Sequence, residues 1–173
     1  IVTPALVHKY NSSAVSQSHK AYQFDGNGFN YFTHGAEDSS GNLYFAGGFN
    51  INHDSVDNAN RAGIIKFNSS LVPQWYRAID VEPADASSSR FSQSAGLQIN
   101  SDGNICWSFH TGNLEYAVGG VAVLPADGSG TGTYSIDGHT LDYIDISSKV
   151  SDVTSNFSFT NLSRFSTYNN TLA

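Results

Sequence analysis

Residues Ile64–Ala78 read IIKFNSSLVPQWYRA, and 57 residues earlier the chain reads VHKYNSSAVSQSHKA. The register holds without a gap. Lys9 aligns with Lys66, Tyr10 with Phe67, and Asn11-Ser12-Ser13 with Asn68-Ser69-Ser70. Val15 aligns with Val72, Gln17 with Gln74, Lys20 with Arg77, and Ala21 with Ala78. A weaker third copy follows at the same offset. There Gly119-Gly120-Val121-Ala122-Val123-Leu124 stands where Ala62–Phe67 stood, and Pro125-Ala126-Asp127-Gly128 replaces the Asn-Ser-Ser turn. Self-similarity at a fixed period above about 20 residues marks a repeat architecture.

A second motif supports a period of similar length. Asp38-Ser39-Ser40-Gly41-Asn42-Leu43-Tyr44-Phe45 returns as Asn100-Ser101-Asp102-Gly103-Asn104-Ile105-Cys106-Trp107. Each unit then runs as a Gly-Asn strand, a variable loop, a Gly-led strand, a short turn and an aromatic strand. The chain opens in mid-unit, with full units expected at about 34–80 and 94–137. This opening, and the absence of methionine, lead us to expect a processed product or an excised part of something longer.

The composition agrees with short strands joined by many turns. Apolar residues make up 39% and aromatics 13%, enough for a core, while charged residues make up 13%, about half the usual share. No window shows the 3.6-residue period of an amphipathic helix. The net charge is -7, and the eight basic residues are scattered singly, which argues against nucleic acid as a partner. No apolar run has the length of a membrane span, so membrane insertion is not expected, and no signal peptide is visible.

Strands are expected at about 5–10, 15–22, 43–49, 62–67, 72–79, 95–99, 105–109 and 118–124. Residues 50–61 and 81–94 read as polar loops. Ile105, Trp107 and Phe109 share one strand face and are the strongest core candidates. Cys106 lies between them and reads as a small buried hydrophobe. Trp75 and Tyr76 point to opposite faces, so one is expected in the core and the other at the surface or an interface. They are the candidate ligand or interface aromatics. Asp127–Gly132 is glycine-rich but lacks the Lys-Ser/Thr of a phosphate loop and reads as a flexible turn. From Thr133 onward alternating residues around Asp137-Gly138 signal a hairpin, followed by a Ser/Thr/Asn-rich arm. The organisation expected is therefore a β-repeat region over residues 1–132 and a strand-rich arm over 133–173.

Candidate chemistry is sparse. Asp25-Gly26-Asn27-Gly28 opens like a calcium loop, but the twelfth position falls on Ala36, so a plain turn is expected. His53, Asp54 and Asp57 have loop spacing without a second ligand cluster. No cofactor or metal site is expected. The Asn-X-Ser/Thr sequences at Asn11, Asn68, Asn156, Asn161 and Asn169 read as turn chemistry.

The unit carried by Ser40-Gly41-Asn42-Leu43-Tyr44-Phe45-Ala46-Gly47-Gly48-Phe49 and Ile64-Ile65-Lys66-Phe67-Asn68 with Gln74-Trp75 resembles the seven-bladed-beta-propeller type of repeat. Similar repeats occur in bacterial surface proteins and in large virion structural proteins of tailed phages. Gly132–Tyr143 is similar to linker-and-strand segments of phage fibre proteins. The resemblance implies an all-β fold of blade-like antiparallel sheets, with a β-sandwich as the alternative. A propeller closes with at least about four blades, and this chain holds about two and a half units. Partners are therefore expected: further copies, or other virion structural proteins.

The resemblance implies a non-enzymatic structural or adhesive module of a phage tail or fibre, located on the virion. The alternative is a carbohydrate-binding module for cell-surface glycan. A propeller glycosidase is the third class. Asn100–Trp107 is distantly like a sialidase Asp-box, but its Asp and Gly are adjacent. Convergent arginines would have to come from Arg61, Arg77, Arg90 and Arg164, and of the two carboxylates other glycosidases need, the glutamates Glu37, Glu82 and Glu115 each lie in an expected turn or loop. No such pairing is legible, so no catalytic residue is expected.

Overall fold

The computed structural model describes residues 3–13, 15–53, 56–82, 91–112, 117–136 and 139–157. Among them the chain is all-β apart from two single 3-10 turns. The strands are β1 (Ala5–Tyr10), β2 (Ser16–Phe24), β3 (Tyr31–Glu37), β4 (Leu43–His53), β5 (Val56–Phe67), β6 (Pro73–Glu82), β7 (Phe91–Ile99), β8 (Ile105–Gly112), β9 (Ala117–Leu124), β10 (Gly132–Ile136), β11 (His139–Asp145) and β12 (Val150–Asp152).

One local device makes the hairpins. In the turns that begin at Asn11, Asp38, Asn68 and Asn100, the side-chain Oδ1 accepts the N–H groups two and four residues on. The backbone N–H of the same residue donates to the carbonyl four residues on, at 2.9–3.0 Å in all four. Asn and Asp suit this position because their short side chains bond nearby backbone. The fourth residue of the last three turns is left-handed: Gly41 at φ 79°, Leu71 at 60° and Gly103 at 81°. Glycine adopts that conformation freely. Leu71 tolerates it because its side chain is buried in a core.

The strands form a central antiparallel sheet in the order β3-β4-β5-β6-β11-β10 with a smaller sheet on each face. The first flanking sheet is β1-β2-β12. The second is β7-β8-β9, tied to β5 by one parallel bridge between Asn60 and Phe91. None closes into a barrel. Strand alternation sorts the central side chains between two cores. Phe49, Ile51, Ile65 and Phe67 meet Ala5, Val7, Tyr22 and Phe24 on one face. Tyr44, Ala46, Ile64, Trp75 and Ile79 meet Ile105, Trp107 and Phe109 on the other.

The 57-residue offset survives as geometry. Ala5 and Val7 face the central sheet, and their equivalents Ala62 and Ile64 face the third sheet. Lys9 Nζ donates to the Ser69 carbonyl at 2.7 Å, and Lys66 Nζ donates to the Ala126 carbonyl at 3.0 Å. Donor and acceptor have each advanced by one period.

Several expectations are corrected. Residues 50–53 and 56–61 belong to the far half of the paired strands β4 and β5, with Asn50 opposite Asn60 and Phe49 opposite Arg61. Asn50 and Arg61 persist there because they have partners. The Asn50 N–H donates to Asn30 Oδ1 at 2.8 Å. Arg61 lies cross-strand from Asp80, fully buried, with Nη2 at 2.9 Å from Oδ2 and Nη1 donating to the Ile51 carbonyl. Tyr31–Glu37 is a strand not anticipated, since its Gly and His break the apolar alternation. Strand β7 starts at Phe91, inside the segment read as loop; residues 83–90 lie outside the described residues. Cys106 is half-buried, because it points away from the core that Ile105 and Trp107 fill. The start of the glycine-rich turn is anchored, not free. The Ala126 carbonyl accepts from Lys66 and from Trp75 Nε1, and the Gly128 carbonyl accepts from Arg77 Nε at 2.8 Å.

Residues beyond the repeats return to its edges. Strand β11 pairs with β6 and β12 with β2, so the repeat strands β6 and β2 are flanked on both sides. Ile136 pairs with His139, bracketing Asp137-Gly138, which lie outside the described residues.

Candidate functional site

A cleft opens where β1 meets the turn end of the central sheet. Its volume is about 320 Å³. Val7, Leu43, Phe45 and Leu71 line its apolar part, and His8, Lys9, Tyr10 and Glu37 supply polar atoms. Strand alternation separates the β1 residues: Val7 turns into the core, while the exposed Tyr10 ring stacks on His8 with centroids 4.2 Å apart. Tyr10 Oη lies 3.3 Å from His8 Nδ1, and His8 Nε2 lies 2.7 Å from Ser16 Oγ. The Lys9 ammonium is engaged by the Ser69 carbonyl at the cleft wall. Among the lining residues Glu37 alone carries a carboxylate, whereas glycosidase chemistry uses two carboxyl groups flanking the bond.

Beside this cleft Asp38 organises the turn behind Glu37. Burial opposes its ionisation. The Asn42 amide and N–H, the Tyr44 hydroxyl and the Ser40 N–H outweigh that and hold its carboxyl below the usual range. Tyr44 moves the other way, its hydroxyl pushed up by burial and by donating to Asp38.

The sequence candidates are dispersed. Trp75 lies in the core shared with the third sheet, 7% exposed, with Gly128 against its indole. Tyr76 is half-buried on the opposite face, packed against the core shared with the first sheet and edge-on to Tyr22. Burial, with the Asp152 carboxylate adding to it, pushes its hydroxyl up to about 12. The two rings share a strand but no surface. Arg61 is committed to Asp80, and Arg77, on the other face, bonds Asp145 at 3.0 Å. Arg90, Arg164 and Glu115 lie outside the described residues, as do Asp54 and the side chains of His53, Asp57 and Glu82. Asp25 uses one oxygen to accept the Asn52 N–H and the other to pair with Lys149 at 3.2 Å. Among the described residues no group of three or more His, Cys, Asp or Glu could hold a metal ion.

The cleft residues were missed because they are not adjacent in sequence. Lys9 and Glu37 come from different sheets. The signal present was the pairing of Lys9 with Lys66 across the repeat, which marks a lysine kept at a sheet junction. No protein-family model matches the chain, and no curated protein or solved structure matches it.

Proposed function

We propose that the three stacked sheets are blade-like units of one propeller-type repeat, and that the chain is a non-enzymatic structural or adhesive module of a tailed-phage virion. In a tail or fibre it would mediate assembly or attachment to the host surface. The observation that carries this reading is the repeated junction: Lys9 to Ser69 and Lys66 to Ala126, one period apart, join each sheet to the next unit's turn. Fixed junctions between like units suit a load-bearing stack. The resemblance of the Gly-Asn and Gly-Ile-Ile-Lys-Phe-Asn motifs supplies the virion context.

The test is an antiserum raised against the 173-residue chain, used on virions from the sequence's source. Gold label on tails or fibres is the expected result. Label confined to material that does not sediment with particles would overturn the reading.

A second reading, carbohydrate binding, is favoured by the exposed Tyr10 ring beside the polar rim of the cleft. Aromatic faces stack on sugars. Under it a glycan array gives a saturable signal that Tyr10→Ala abolishes and Trp75→Phe leaves unchanged.

A further inference from the structure

The first two units close their hairpins in one register. Ala5, Leu6, Val7, His8 and Lys9 pair with Tyr22, Ala21, Lys20, His19 and Ser18. One period later Ala62, Gly63, Ile64, Ile65 and Lys66 pair with Ile79, Ala78, Arg77, Tyr76 and Trp75. All five pairs advance together. A further step of the same period sets β9 opposite β10: Gly119 with Ile136, Gly120 with Ser135, Val121 with Tyr134, Ala122 with Thr133 and Val123 with Gly132. In the structure β10 pairs with β11 instead, also over five residues, from Gly132 with Tyr143 to Ile136 with His139. Among the described residues no strand lies on the outer edge of β9.

The turn explains the departure. Asn11 and Asn68 clasp their hairpins with N–H bonds to the carbonyls of Val15 and Val72. Pro125 takes that position and has neither the N–H nor a side-chain acceptor. The root of the linker is held, since the Ala126 carbonyl accepts from Lys66 and Trp75 and the Gly128 carbonyl from Arg77. Beyond it Gly130, at φ 81°, and Gly132 give the chain a hinge. Residues 131–135 are all exposed, Tyr134 at 45%. Strand β10 is thus held by its ladder with β11 and not by a core. Across the linker Val121 on β9 is 80% exposed.

We propose that β10 has two seats: the observed one on β11, and a less populated one on the outer edge of β9 in the register of the first two units. Each seat offers five antiparallel pairs, so the backbone bonding nearly cancels. Leaving β11 releases the Tyr134 hydroxyl from the Gly130 carbonyl. Arriving on β9 sets the Tyr134 ring across from Val121, an aromatic and β-branched cross-strand pair. Differences of this size leave the second arrangement populated as a minor state. The move makes β11 the edge of the central sheet in place of β10, and β10 the edge of the third sheet in place of β9. An extended segment that adds to β11 therefore competes with β10, and its binding shifts β10 to β9. The proposal uses the repeat register and does not need the virion context.

The experiment is disulfide trapping in the full chain, with the single native cysteine removed as Cys106→Ala. Adjacent pairs of an antiparallel ladder alternate between hydrogen-bonded pairs and closer, non-hydrogen-bonded ones. Two neighbouring pairs therefore report the β9 seat: Val121→Cys/Tyr134→Cys and Ala122→Cys/Thr133→Cys. Thr133→Cys/Asp142→Cys and Tyr134→Cys/Leu141→Cys report the observed seat, and Val121→Cys/Ser151→Cys is an out-of-register control. In a glutathione redox buffer, followed by non-reducing mass spectrometry, at least one β9 pair is expected to close within the chain, at least about tenfold faster than the control. Locking β10 there is expected to raise hydrogen exchange along β11. Closure of the observed-seat pairs with neither β9 pair closing overturns the proposal. So does closure only between chains, which would assign the β9 edge to a second copy. Should the thiol variants misfold, relaxation dispersion on the unmodified chain decides. The Val121 and Tyr134 amides are expected to report one shared exchange process, and flat profiles at both overturn the proposal. Trapping on β9 without virion labelling would sink the functional reading alone.

Discussion

Two residues show how far local chemistry is set by the layer a side chain enters. Arg61 and Asp80 form an ion pair inside the core between the first two sheets, both essentially without solvent. Removing one partner of a buried pair strands the other charge. Asp80→Asn is expected to lower unfolding free energy by about 3–5 kcal/mol in a urea titration. The Arg61→Met/Asp80→Leu double variant should recover most of that loss, because the stranded charge goes with the pair. Gly128 has φ 76°, and a Cβ there would lie 2.9 Å from the Trp75 indole. Gly128→Ala therefore combines backbone strain with overpacking, at about 2–4 kcal/mol by thermal or chemical melt. A destabilisation under about 0.5 kcal/mol would show that the turn moves away freely.

At the level of elements, the sheets are joined by lysines that reach carbonyls. Lys66 is partly buried and Lys9 is at the surface. A hydrogen bond from a charged donor contributes about 1.5–3 kcal/mol when shielded, and an exposed one under about 1. Lys66→Met should thus destabilise more than Lys9→Met, and the ordering is read from paired denaturation curves. Equal losses would mean that burial at the two junctions is alike. Hairpin pairing was legible in the sequence at the turns opened by Asn11, Asn68 and Asn100, but not at Asp38, whose first strand did not read as one. The length of β4 and β5 was not legible either. Asn50 and Arg61 read as loop residues, and distant partners, Asn30 and Asp80, hold them in the strands.

For the whole molecule, the acid limb of stability follows from carboxylates held below their usual range. In Asp152, burial is outweighed by bonds from Lys20 and Thr154, which bring it from 3.8 to about 2. In Asp145, burial is outweighed by Ser147 and Arg77. A lowered folded value means the stabilisation is complete above the unfolded value and lost as pH falls through the folded one. Unfolding should therefore become easier between about pH 4 and pH 2, and Asp152→Asn should flatten that part of the curve. A curve that Asp152→Asn leaves unchanged would assign the acid limb to other groups. The all-β character and the repetition of turn and strand positions were legible, because a fixed offset carries both. What lay beyond reach was the placement of residues 132–152, since their strands pair with β6 and β2, which sequence spacing does not indicate. That placement has a consequence in time. Val150 pairs with Phe24, so the edge of the first sheet is finished only after some 126 further residues have been made. At roughly 5–20 residues per second, a ribosome leaves that edge open for about 6–25 s. The first sheet to be translated is thus the last to be sealed, and neighbouring nascent chains on one message have that interval in which to exchange strands.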